Sequence, residues 1–139
     1  MAPQELSGDQ AKKLADSYKA TAVSTATPGA LILMLFDGAL SFIARAEYGF
    51  TLDSLARRNE EVHNNLTKAQ SILRELQVSL DLDRGGEFST QLFGLYDFMI
   101  DQLLEANVKK EVDRVQTVKN FLRDIRDAWA EMLQKFQAQ

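Results

Sequence analysis

From Pro28 onward, apolar side chains recur three and four residues apart, and no long run alternates apolar with polar. Helices follow from that spacing, and no sheet does. Thr27 is placed to cap a first long helix, with Pro28 at the opening position, where its missing N–H goes unused. This helix is expected from Pro28 to about Tyr48, ahead of Gly49. A second should run from about Asp53 to Leu80, carrying Leu55, Val62, Leu66, Ala69, Leu73, Leu76 and Leu80 on one stripe. Asp83-Arg84-Gly85-Gly86 has the composition of a turn, which predicts a third helix from about Glu87 to Ala106 with Asn107 as a left-handed terminator. The last helix carries Val115, Val118, Leu122, Ile125, Trp129, Leu133 and Phe136 on a single stripe. Ahead of these, Asp9 to Lys19 predicts a short helix, and the small and β-branched residues Thr21 to Thr27 predict a linker. Short connections favour antiparallel neighbours. The fold expected is all-α: an up-down four-helix bundle over residues 28–137, with a mobile N-terminal segment, 1–27, in one domain of 139 residues.

Two helices carry more apolar surface than a bundle core needs. Leu31 to Phe36 are consecutive, so the first turns of the Pro28 helix are apolar nearly all round, and only Asp37, Ser41 and Arg45 form a polar strip. In the Glu87 helix, Leu92, Leu95, Tyr96, Met99 and Leu103 make a core stripe that Phe93, Ile100 and Leu104 widen, while Phe98 points away. Surplus apolar surface requires a cover. The N-terminal segment, a further packing element, a second copy or an apolar helix from a client would each serve.

Composition narrows the classes. The formal net charge of -4 and the lack of a Lys/Arg cluster argue against nucleic acid and against an anionic membrane surface. The chain has no cysteine, so no disulfide framework, thiolate metal site or cysteine nucleophile is available. The N-terminus lacks the apolar core of a signal peptide, and the run Gly29 to Phe36 is too short to span a bilayer. A cytoplasmic protein without membrane insertion is expected.

Catalytic chemistry is hard to assemble from these residues. His63, the one histidine, forms a single Glu-x-x-His with Glu60, whereas di-metal bundles need two such motifs and further carboxylates. Asp81, Asp83 and Glu87 do not reach the ligand spacing of a calcium loop. Gly85-Gly86 is followed by no Lys-Ser or Lys-Thr, so it is not a phosphate loop. No enzyme activity, metal or cofactor is expected. Binding protein, chaperone and adaptor remain open on these grounds.

Four blocks of residues narrow the choice further. Tyr18, Val23 and Thr25-Ala26-Thr27-Pro28, continued by Leu31, Met34-Leu35-Phe36-Asp37-Gly38, form the first. Lys68-Ala69-Gln70 through Leu80-Asp81 is the second. Gly85-Gly86-Glu87, Leu92, Leu95-Tyr96-Asp97-Phe98-Met99, Leu103 and Ala106-Asn107 form the third, and Leu122 to Trp129 the fourth. In order and spacing they resemble the flagellar export chaperone family, FliS, over roughly Tyr18 to Trp129. The departures are the seventeen residues before Tyr18, Phe88 in place of an Ile, and Lys110-Glu111 in place of an Asn-Asp pair.

The resemblance implies a four-helix antiparallel bundle that binds the disordered C-terminal segment of flagellin in the cytoplasm. It also implies that binding prevents early polymerisation and helps deliver flagellin to a component of the flagellar export gate. A helical adaptor for another secretion client is the alternative. With the surplus surface, it makes Tyr18, Val23, Leu31, Leu33, Met34, Phe36, Phe93, Tyr96, Ile100 and Leu104 the candidate partner-binding residues. Tyr18 is a candidate latch, and Trp129 is expected in the core. Oligomeric state is left open.

Overall fold

The computed structural model describes residues 8–138, apart from the side chains of residues 12, 15, 18–24 and 137–138. All five elements are helices, and no strand occurs among the described residues: α1 (Gly8–Thr25), α2 (Pro28–Gly49), α3 (Leu55–Val78), α4 (Leu82–Lys109) and α5 (Val112–Ala138). The chain forms two compact units, Met1–Leu31 and Ile32–Gln139.

In the first unit, α1 continues six residues beyond the expected end at Lys19 and takes up most of the expected linker. β-Branched residues lower helix propensity by only tenths of a kcal/mol each, and no Gly or Pro interrupts Thr21 to Thr25. The break comes at Ala26-Thr27, where Pro28 disfavours helical backbone in the residue before it. Thr27 then caps α2: its Oγ1 accepts from Ala30 N at 3.2 Å and its carbonyl from Leu31 N at 2.9 Å.

The second unit is the bundle. Its register can be followed from paired residues. Between α2 and α3, Gly49 faces Val62, Lys68 lies over the Phe42 ring, and Gly38 faces Ile72. Between α3 and α4, His63 meets Asn107, Gln70 meets the Ile100 carbonyl, and Arg74 meets Asp97. Arg114 and Gln102 pair at one end of the α4–α5 seam, and Phe98 and Phe121 further along it. Glu47 pairs with Lys119, Asp37 with Arg126 and Phe36 with Trp129 between α2 and α5. In every seam a step forward on one helix is a step back on the other. All four seams are antiparallel and close the ring.

On α3 and α5 the buried layer follows the predicted stripes, with Val62, Leu66, Ala69, Leu73 and Leu76 on α3 and Val115, Val118 and Leu122 on α5, whereas Leu55 and Phe136 at the ends of those stripes are exposed. On α2, where no stripe was predicted, Phe36, Ala39, Ile43 and Ala46 face inward. Trp129 packs on this core half-buried, its ring 6.5 Å from that of Phe36. Gly49 is a packing requirement: an added Cβ would lie 3.0 Å from Glu61 Cβ and 3.3 Å from the Val62 backbone nitrogen. By length and composition α2 is apolar enough to cross a bilayer. In the bundle it buries one face, and its acidic Asp37 and Glu47 are held by Arg126 and Lys119.

Two boundaries differ from expectation. α4 opens at Leu82, capped by Asp81, whose Oδ1 accepts from Arg84 N at 3.0 Å. The expected turn is compressed into one kink at Gly86, with φ 55° and ψ -136°, a conformation glycine adopts at little cost. At the other end Asn107 stays helical and Lys110 takes the left-handed position, φ 53° and ψ 51°. Asn107 is engaged through its side chain instead, next to His63 Nδ1 at 2.9 Å and accepting from Lys110 Nζ.

Candidate partner-binding surface

The candidate residues fall into three groups. Phe36 and Tyr96 are 2% exposed and Ile100 7% exposed, so these three belong to the core and offer no surface in this form. Six consecutive apolar residues on α2 do not reveal which of them faces inward. The structure does: Phe36 lies in line with Ala39 and Ile43. Burial pushes the Tyr96 hydroxyl up to about 12, because the phenolate would lose its hydration there. A side-chain donor from α3 further fixes Ile100, whose carbonyl accepts from Gln70 Nε2 at 3.3 Å.

A second group is accessible. Met34 is exposed on α2 and Leu104 on α4, while Leu33 and Phe93 are half-buried. Leu31, the last residue of the first unit, is also exposed. Phe93 and Leu104 lie on the α3 side of α4, about three turns apart. They therefore form no single pocket. The apolar surface is spread along the bundle, as an extended ligand requires and a small molecule does not.

Tyr18 and Val23 make up the third group. Both lie on α1, but their side chains are outside the described residues.

Polar links hold these helices in register. Gln77 is buried; its Nε2 donates to the Phe93 carbonyl at 3.0 Å and to Asp97 Oδ1 at 2.7 Å, and its Oε1 accepts from Arg74. Arg126 donates to Asp37 at 2.8 Å, and that hydrogen bond raises the guanidinium pKa further. Glu60 and His63 are exposed, and no three His, Asp or Glu side chains converge as metal ligands among the described residues.

The helical spacing did not bring out Phe98 and Phe121 as a pair. Their rings meet edge to face across α4 and α5, with centroids 6.0 Å apart, and both are 42% exposed. The signal was weak: Phe98 stands off the α4 stripe, and its partner is on another helix.

The geometry is that of a helical bundle with dispersed apolar surface, and comparison with known proteins agrees. The family model described as "Flagellar protein FliS" matches residues 10–136. The flagellar secretion chaperone FliS of Bacillus subtilis is 39% identical over 118 residues, covering 85% of this chain and 84% of the relative. Its namesake in Salmonella typhimurium is 37% identical over 116 residues, 83% of each chain, and that of Escherichia coli 38% over 115 residues, 81% of each. The chain belongs to the FliS family of flagellar secretion chaperones, a family of chaperones and not of enzymes.

Proposed function

We propose that this protein binds the disordered C-terminal segment of flagellin in the cytoplasm, keeps it from polymerising early, and presents it to a component of the flagellar export gate. The observation that carries the reading is the dispersed apolar surface at Met34 and Leu104, with Leu33 and Phe93 half-open beside the core, in a chain of this family. A client that is disordered alone must offset its ordering cost, and an extended contact over several helices does so better than one pocket. Segments that form paired helices in a filament carry apolar faces that need masking beforehand, and dispersed apolar side chains suit that task. In this reading residues 28–137 form the binding body.

Calorimetry with a peptide from the host flagellin's C-terminus is the test. Saturable binding with a negative heat-capacity change is expected, since apolar area is buried. A peptide that gives neither heat nor a shift in tryptophan fluorescence would overturn the reading and favour a different secretion client.

A further inference from the structure

The edge-to-face pair Phe98–Phe121 is the centre of a longer apolar ridge. From Phe121 the residues Ile125, Ala128, Met132 and Phe136 follow at helical spacing along the same side of α5. Phe121, Ala128 and Phe136 are exposed and Ile125 and Met132 half-buried. At the C-terminal end Ala128, Met132 and Phe136, together with Glu131 and Lys135, line a depression of about 320 Å³. The ridge runs about 22 Å, which matches some fifteen residues of a second helix.

Charge says what could lie on it. Asp101 follows Phe98 by three residues, and Asp124 follows Phe121 by three, which places each carboxylate next to a ring on the helix surface. Both are exposed, and neither has an ion-pair partner among the described residues. Lys109 is paired with Glu105, Lys135 with Glu131 and Arg114 with Glu111, and Arg123, two residues from Phe121, turns to the opposite side of α5. The uncompensated charge beside the ridge is therefore negative. A second copy docked face to face would oppose like charges, and an anionic lipid surface would be repelled.

We propose that the α4–α5 ridge is a second docking surface, built for an amphipathic helix of another protein with basic residues flanking its apolar face. This goes beyond the client reading, because the ridge lies on the α5 side of α4 and the accessible candidates Phe93 and Leu104 on the α3 side.

The test uses the full-length protein and a labelled designed peptide of about eighteen residues, with leucines at helical spacing and lysines on both flanks. A twin peptide carries glutamates in place of the lysines. In anisotropy titrations the lysine peptide should bind, the glutamate twin should bind at least about tenfold more weakly, and rising salt should narrow the gap. Phe121→Ala should weaken the lysine peptide about tenfold, a loss equal to burying part of one ring. The pair Asp101→Asn and Asp124→Asn, which leaves the core untouched, should remove most of the salt dependence. Equal binding of both peptides, or no effect of either variant, would overturn the proposal. So would displacement of the lysine peptide by flagellin's C-terminal peptide, which would give the ridge to the client. Light scattering that shows a dimer lost on Phe121→Ala would give it to a second copy and overturn it as well.

Discussion

Gln77 on α3 donates to Asp97 Oδ1 on α4 at 2.7 Å while its own side chain is buried. The same amide group donates to the Phe93 carbonyl at 3.0 Å. One side chain thus fixes the α3–α4 register beside a candidate client residue. Gln77→Leu keeps the volume but leaves Asp97 without this donor and Arg74 without its amide acceptor. A loss of about 1–3 kcal/mol is expected, read from urea unfolding. A variant as stable as the parent would make the network dispensable.

Tyr96 provides a pH prediction. Its hydroxyl pKa is raised by burial to about 12, against about 10 in an unfolded chain. The folded form therefore holds its proton more tightly. The contribution is fully present below pH 10 and is lost as pH rises from 10 towards 12. Thermal melting followed across that range should show a steeper alkaline decline in the parent than in Tyr96→Phe. Parallel curves would place the ring in a wetter site.

Gly86 isolates a backbone effect. No atom lies within 4 Å of a Cβ added there, so a substitution meets open space, yet its φ of 55° disfavours any L side chain. Gly86→Ala should cost about 1–3 kcal/mol, or straighten α4 into one continuous helix. Denaturation and helical content by circular dichroism distinguish the two, and an unchanged protein in both respects would remove the kink.

These residues show how much of the fold was legible. The middle of the α3 and α5 stripes and the Thr27-Pro28 start needed only the helical period and capping chemistry, whereas the period ran past the core at Leu55 and Phe136, which are exposed. The α4 boundaries depend on particulars that no period carries. A glycine pair can be a turn or a kink within a helix. Asn107 stays helical with its side chain engaged by His63 and Lys110, and the left-handed position falls three residues later, at Lys110. On α2, consecutive apolar residues hid the division between core and surface, so Phe36 was grouped with Met34; on α4 the stripe already carried Tyr96, and what it did not separate was buried Ile100 from exposed Leu104. That division depends on which way each helix is turned in the bundle, and the neighbouring helices decide it. The Phe98–Phe121 contact is wholly tertiary.

Glu47–Lys119 and Asp37–Arg126 tie α2 to α5 at two levels. Exposed ion pairs contribute little, since salt and side-chain entropy offset them. Glu47 and Lys119 are the less exposed of the two pairs. A double-mutant cycle on Glu47→Gln and Lys119→Met should give a coupling of about 1 kcal/mol or less, and the Asp37–Arg126 cycle a smaller one that vanishes at high salt. Reversed ranking would mean that the hydrogen-bond geometry of Arg126 outweighs the difference in exposure.

The client surface is best probed where exposure and helix position coincide. Leu33 is half-buried, so an aspartate there would disturb packing and binding together. Met34 is 37% exposed on the same turn of α2. Its side chain still presents enough apolar area to contribute on the order of 1 kcal/mol to a complex. Met34→Asp also places an unpaired carboxylate under the bound segment, which adds a desolvation penalty of similar or larger size. Affinity for flagellin's C-terminal peptide should therefore fall by about ten- to a hundredfold, while the melting temperature stays close to the parent's. Leu104→Asp, on α4, should give a comparable loss if the client runs along several helices. A Met34→Asp protein that binds normally would take α2 out of the client surface. If Leu104→Asp alone were defective, the client would be confined to the α3–α4 side.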